Sequence, residues 1–322
     1  MRYYDITIQD GTDGRTYNWS SQTNGAVNPA ALQVEFDLLV NPYGSSSEMS
    51  MVTIHGISMD ELRASQTFAG MNLTLKGGMQ KGLPLAKPSQ AGVLLKGYII
   101  QSFGNWEGTE LSITFVVSPT GYTFDSPGNF VMDWPAGTTL GTALKNMFQV
   151  ALPSMTVTDN TSAKVVLSHH EQHYASTLDG IADVVYEMTK GNFVGSSYPG
   201  VKIAIQGGEI QLYDQTTQET YTQIEYTDLV GQPAWFDTSH MMMKLVMRAD
   251  IKVGSYIKMP QGMQSSAGQV VTTASSQPGQ VKYSLAFTGT FLVDSVRHIG
   301  DFRGANGASW ITVVTCRPTV ND

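Results

Sequence analysis

Between Leu32 and Val40 the chain reads LQVEFDLLV, with Leu32, Val34, Phe36, Leu38 and Val40 at every second position. Period two is the signature of a half-buried strand, so the segment is predicted as a strand with Glu35 and Asp37 on its outer face. In the NPYGSSS that follows, Asn41-Pro42 and Gly44 interrupt pairing and turn the chain. MSMVTIHGIS, MNLTLKGGM, GVLLKGYIIQSF and ELSITFVVSP repeat the theme, each rich in Val, Ile, Leu, Thr or aromatics and bounded by Gly, Asn or Pro. Gly104-Asn105 and Gly108 mark a hairpin between the last two. Residues 1–122 are thus expected to form an antiparallel β domain, a barrel or tightly curled sheet.

The period then changes. In TTLGTALKNMFQVAL the apolar positions Leu140, Ala143, Leu144, Met147, Phe148, Ala151 and Leu152 are three and four apart and make one helical stripe. Thr138 or Thr139 caps it and Pro153 stops it. A second stripe joins Leu178, Ile181, Ala182, Val185 and Met188, with Ser176 and Asp179 reading as a capping box and Gly191 closing the helix. Helices are expected over 139–152 and 177–190, inside an α+β unit covering 123–200. Strand patterns return in VKIAIQGGEIQLYDQ, with a turn at Gly207-Gly208, and continue through MKLVMRADIKVGSYIKMP to SWITVVTC. The expectation is a second β domain over 201–322, with 201–230 as a segment that could instead complete the first barrel. The polar run Gln261–Gln280 reads as a mobile hairpin loop. The fold class is mainly β with a small α+β insert: two antiparallel β-barrel domains flanking a middle domain.

Composition narrows the functions. The formal net charge of -8 and the lack of a basic cluster argue against a generic polyanion-binding surface. No apolar run reaches the ~20 residues a membrane helix needs, and MRYYDITIQD places Asp5, Gln9 and Asp10 where a signal peptide is apolar. The expected site of synthesis and assembly is therefore a cytoplasm. Cys316 is the sole cysteine, so neither an intrachain disulfide nor a cysteine-based zinc cluster can form, and its place in a strand suits a small buried hydrophobe.

The candidate chemistry is sparse. His169, His170 and His173 are dense enough to suggest a metal, but Glu171 does not complete HExxH and no later ligand follows, so a polar loop before the helix is the favoured reading. Glu35 and Asp37 alternate with apolar residues and face solvent or a partner. Gly11–Gly14 is too short for a calcium loop. Met241, Met242 and Met243 suit an interface or core. No phosphate loop, nucleophile elbow or dinucleotide fingerprint occurs. Near the carboxyl end, Leu285, Phe287, Phe291 and Val293 oppose Ser284, Thr288, Thr290 and Asp294, which predicts a long strand from Tyr283 ending at His298. Gly300, Gly304 and Gly307 are expected to take positive φ in a loop leading back through Trp310 to Cys316, with Asp301 and Arg303 fixing the loop or meeting another chain. Catalytic, cofactor and metal residues: none.

FTGTFLVDSVRHIGDFRGANGASWITVV, together with DLVGQPAW and KLVMRADIKVGSYIKMP, resembles the carboxyl-terminal half of the central baseplate hub proteins of contractile-tailed phages. VTIHGIS, MNLTLKGGM and GYIIQS are similar to the first barrel of such hubs, and PAGTTLGTALKNMF to their middle domain; the hub part of secretion-system spikes is similar too. The resemblance implies a virion structural protein without catalytic residues or cofactors. It implies a homotrimer whose paired, related barrels form a pseudo-sixfold ring in the tail baseplate, adapting the sixfold tail tube to a threefold spike while DNA passes. Implied partners are the tail tube or tube-initiator protein, a separate spike, the tape-measure protein and surrounding baseplate proteins, with neither sequence-specific nucleic-acid binding nor a membrane segment. Two rival functions are a receptor- or glycan-binding tail protein using Tyr3, Tyr4, Trp19 and Trp106, and a β-rich cell-wall hydrolase around His170, Glu171 or Asp301.

Overall fold

The computed structural model describes residues 1–44, 49–80, 87–122, 126–216, 220–237, 239–260, 287 and 289–319. The expectations for Gln261–Gln280 and for Tyr283, Ser284, Leu285 and Thr288 lie outside the described residues. The first region holds β1 (Arg2–Gln9), β2 (Thr16–Ser20), a small hairpin of β3 (Gln22–Thr23) and β4 (Ala26–Val27), β5 (Gln33–Val40), β6 (Ser50–His55), α1 (Met59–Arg63), β7 (Asn72–Met79), β8 (Gly92–Glu107) and β9 (Glu110–Ser118). Next come β10 (Phe130–Trp134), α2 (Leu140–Ala151), β11 (Thr156–Asn160), β12 (Glu171–Ala175), α3 (Leu178–Thr189), β13 (Lys202–Gln206) and β14 (Glu209–Tyr213). The last region has β15 (Tyr221–Gln223), β16 (Ala234–Trp235), β17 (Met241–Val246), β18 (Tyr256–Lys258), β19 (Thr290–Asp301) and β20 (Trp310–Pro318).

One 13-stranded sheet joins the first and last regions, in the order β16-β17-β20-β19-β5-β6-β9-β8-β7-β1-β2, with β18 on β19 and β15 parallel to β18. The joint is β5 against β19, from Val40 beside Val296 to Glu35 beside Asp301. Alternation explains which face is buried: Val34, Phe36 and Leu38 point into the core while Glu35 and Asp37 point out. Bulges on β8, opposite Leu75/Lys76 of β7 and between Ile99 and Gln101, bend that strand. The curl carries β7 and β1 round to the β19–β20 hairpin, where Trp310 Nε1 donates to the Gly78 carbonyl at 2.9 Å. Trp310 and Met247 belong to the apolar core of the first region. No buried member of this core comes from residues 201–230, whereas Trp310 of β20 and Met247 contribute to it.

The middle unit has its own core. α2 and α3 pack their predicted stripes on β10–β12 and on β13-β14-β11, where β14 runs antiparallel to β13 and parallel to β11. Gly207 and Gly208, at φ 62° and 85°, make the predicted tight turn. Since Ile203, Ile205, Ile210 and Leu212 fill this core, the unit's packing extends past the expected boundary at residue 200. Thr139 caps α2 and Thr177 caps α3, each accepting from an amide three residues on. Ser176 is thus not the cap, because the chain is already extended at Thr177 and only there does a hydroxyl reach the first free amides.

Candidate assembly surface

The sheet face turned away from the core is exposed or part-exposed over most of its length, the exception in the row below being Ile311, at 2% exposure. A register row runs through seven strands: Val246, Ile311, Ile299, Asp37, Met51, Val116 and Gln101. A parallel row passes Glu35, Thr53, Thr114 and Phe103, with the Thr53 and Thr114 hydroxyls 2.9 Å apart. Charges on this face are paired across strands. Arg297 grips Asp37 through Nε at 2.7 Å and Nη2 at 2.5 Å, and His55 lies between Glu110 at 2.6 Å and Glu35 at 3.7 Å. Such a face presents small polar and aliphatic groups with more carboxylates than cations, and so lacks the cation excess that phosphate binding requires.

The glycine-rich hairpin loop after β19 is held from an unforeseen direction. Arg2, at the start of β1, donates through Nη1 to the carbonyls of Asp301, Phe302 and Gly304 at 2.8, 3.0 and 2.7 Å, and through Nη2 to that of Asn306 at 3.1 Å. Gln33 binds Asp301 Oδ1 at 2.6 Å and accepts from the Arg303 amide, while the Arg303 guanidinium is bound by the Ala31 carbonyl. Phe302 packs edge-on to Tyr4 at 4.8 Å and lies 6.0 Å from Trp310. Asp301 and Arg303 therefore close the curl. Gly300, Gly304 and Gly307 are absent from the positive-φ positions. Gly300 is small for a different reason: a Cβ there would come within 2.3 Å of the Phe36 ring. His298 is also not at a strand end. It lies within β19, fully buried, with Nδ1 3.0 Å from Thr312 Oγ1, and burial pushes its pKa down to about 4.

A second tie joins the two β regions. Arg248, 1% exposed, lies with Nη1 3.1 Å from Asp228 Oδ2 and grips Asp250 through Nε and Nη2 at 2.7 and 2.6 Å. Asp228 also accepts from Gln90 Nε2 at 3.1 Å and faces Lys87 Nζ at 3.4 Å, both from the segment between β7 and β8. Burial pushes the Asp228 carboxyl upward, but the Glu225 amide, Gln90, Arg248 and Lys87 outweigh it and hold the pKa below the usual carboxylate value. Thr312 Oγ1 accepts from the Arg248 amide, which connects this network to His298.

The remaining candidates are dispersed. Glu171 and His173 stand in β12, a strand where a loop was expected, because alternate residues of the segment pair with β10. His169 and His173 bind the two oxygens of Glu171 at 2.7 and 2.9 Å, and His170 binds Asp133 at 2.7 Å. Hydrogen bonds from His173 and His169 lower the Glu171 pKa, and those from Gln172 and His170 lower that of Asp133. Among the described residues no group of three or more His, Cys, Asp or Glu is arranged to hold a metal, and no helix is long and apolar enough to cross a membrane. Met241 and Met243 are buried and Met242 is exposed, as strand alternation dictates. Gly11–Gly14 forms an exposed turn. Cys316 is buried, with its thiol pKa raised by burial. Of the aromatics considered for a binding surface, Tyr4 and Trp19 are core residues, since both point inward from their strands, and only Trp106 is strongly exposed, at 63%. The hairpin turn near it lies after Glu107; Gly104-Asn105 stays within β8.

Comparison with solved structures places this architecture. A component of the type VI secretion system of E. coli, described as structurally similar to the T4 bacteriophage tail proteins gp27 and gp5, aligns over 92% of this chain and 76% of its own, with 11% identity and a TM-score of 0.50. The 43 kDa tail protein of prophage MuSo2 from Shewanella oneidensis aligns over 98% of this chain and 97% of its own, with 6% identity and a TM-score of 0.50. The chain has a tail-protein fold. No protein-family model and no curated protein matches the sequence. The tail-protein fold is mainly β with large antiparallel sheets, as the strand periodicity implies.

Proposed function

We propose that this chain is a structural protein of a phage tail, the central hub of its baseplate. The observation that carries the reading is the single sheet running through both β regions, with one face packed and the other mostly exposed and without a cation excess. In this reading three copies close a ring, the two β regions of each serve as related units around a pseudo-sixfold axis, and the open face lines the passage. Paired charges and threonines suit a channel that DNA must traverse without sticking, because an uncompensated cationic wall would bind phosphates. α2 and α3 lie outside the ring, since their apolar stripes are already used in the middle unit. The tail tube and a separate spike bind opposite rims, with the tape-measure protein and baseplate neighbours close by, and the protein resides in the virion tail after assembly in the host cytoplasm. It performs no catalysis and carries no cofactor. Light scattering of the purified chain, alone and with its tube and spike partners, tests the stoichiometry. A trimer mass is expected; a monomer under every condition contradicts the reading.

A further inference from the structure

The sheet that carries the exposed face has two open ends. Its eight strands from β16 to β8 are antiparallel at every step, so β16 and β8 run in opposite directions. The ladder of β8 with β7 covers only Gly92 to Tyr98, and the half of β8 that rises with β9 to the hairpin turn has a bare side. Opposite Trp106, Leu111 turns its carbonyl to the Gly56 amide and away from β8. By the alternation of an antiparallel ladder, Gly104 and Trp106 turn their amides and carbonyls away from β9, and no group among the described residues binds them. The other end has the same character. Phe236 donates its amide to the His240 carbonyl, so Trp235, one residue earlier in β16, points its own amide and carbonyl outward. Exposed apolar side chains flank both edges, Trp106 at 63% and Phe103 at 47% on one and Phe236 at 49% on the other.

A bare edge is a template for another strand and is normally guarded by Lys or Pro, neither of which occurs between Phe103 and Glu107. Two copies that met β8 to β8 would form a twofold pair, which cannot close a ring of three, whereas β8 of one copy on β16 of the next is a head-to-tail contact and can. The heights of the two edges agree with this. Gln101 and Val246 end one register row; Gly104 and Trp106 lie three and five residues beyond Gln101, and Trp235 is level with Met241, five residues before Val246. Setting Trp235 opposite Gly104 or Trp106 therefore staggers successive copies by eight or ten residues over eight strands. With a rise of ~3.3 Å per residue and ~4.8 Å between strands, that stagger is a strand tilt of ~35–40°, as closed barrels have. We propose that the ring closes by antiparallel pairing of the Gly104–Trp106 edge of β8 with the Ala234–Trp235 edge of β16 in the next copy. The inference rests on the ring reading and adds which edges meet. It repeats between copies the joint that β5 and β19 make within one.

The test is cysteine cross-linking of the full chain under mild oxidation, the native Cys316 being buried. Asn105, Ala234 and Phe236 belong to the outer face, so Asn105→Cys is combined with Ala234→Cys for the eight-residue stagger and with Phe236→Cys for the ten-residue one. One of these double variants should give covalent trimers on a non-reducing gel, and none of the single variants should link. Trp106→Pro removes an amide that has no partner within the chain, so it should keep the circular dichroism of the parent and shift the trimer–monomer equilibrium at least tenfold towards monomer in sedimentation. Trimers by light scattering with neither double variant linking, or folded Trp106→Pro trimers as tight as the parent's, would overturn the edge pairing and leave the ring reading standing. A chain that is monomeric throughout overturns both. Self-linked dimers of Asn105→Cys would set β8 against β8 and overturn the proposal.

Discussion

In the first β region no charged side chain is buried among the described residues, and the inward face is built from Tyr4, Ile6, Val34, Val52, Ile54, Phe115 and their neighbours. In the last region the same sheet face carries His298 and Thr312, and Asp228 and Arg248 are buried beside it. One end of the sheet is held by apolar packing that is insensitive to pH and salt, and the other by buried ions that gain from each other only while every partner is present. Those ions reach from the last region to Gln90 and Lys87, so the less robust chemistry lies where the two regions must keep one orientation.

The largest effect should come from the apolar side. Phe115 meets Phe68 edge-on at 5.5 Å and Trp19 at 6.3 Å, so Phe115→Ala should cost about 4 kcal/mol in denaturant unfolding. Asp228→Ala should follow at about 3 kcal/mol, near the low end for a broken buried pair because Asp250 still holds Arg248. The double variant Asp228→Leu/Arg248→Met should recover most of that loss. Failure to recover would mean that the pair does more than satisfy itself.

How much of this contrast the sequence carried depends on the range of the interaction. The alternation in β5 and the stripes of α2 and α3 are local, and they were legible to within a residue or two. The open face was half legible: Glu35 and Asp37 could be placed outward, but nothing in the pattern says that β5 pairs with β19 or that Asp37 meets Arg297. Arg2 gave no signal, because a lone arginine near a chain end looks like a solvated charge until the curl brings four carbonyls to it. Asp228 and Arg248 were equally silent, since burial of a charge is set by chain segments distant in sequence.

Acid should weaken the last region selectively. His298 has a folded pKa of about 4 against 6.5 in the unfolded chain, so the unfolded state takes up the proton first. The associated stability is complete above pH 6.5 and is lost as pH falls towards 4, with about 2 kcal/mol gone by pH 5. Unfolding measured across that window should show the slope, and His298→Gln should flatten it; an unchanged slope would place the titration elsewhere. The smallest effect belongs to the open face, where Arg297→Ala removes an exposed pair and should change stability by less than about 1 kcal/mol.

Whether the mixed sheet lines a tail channel is decided by an electron cryomicroscopy reconstruction of the purified assembly. A threefold ring is expected in which Arg297, Asp37, Thr53 and Thr114 face the axis, the two β regions of each copy alternate around it, and α2 and α3 lie outside. A ring whose axis is lined by the helices, or one that turns this sheet face to bulk solvent, would contradict it.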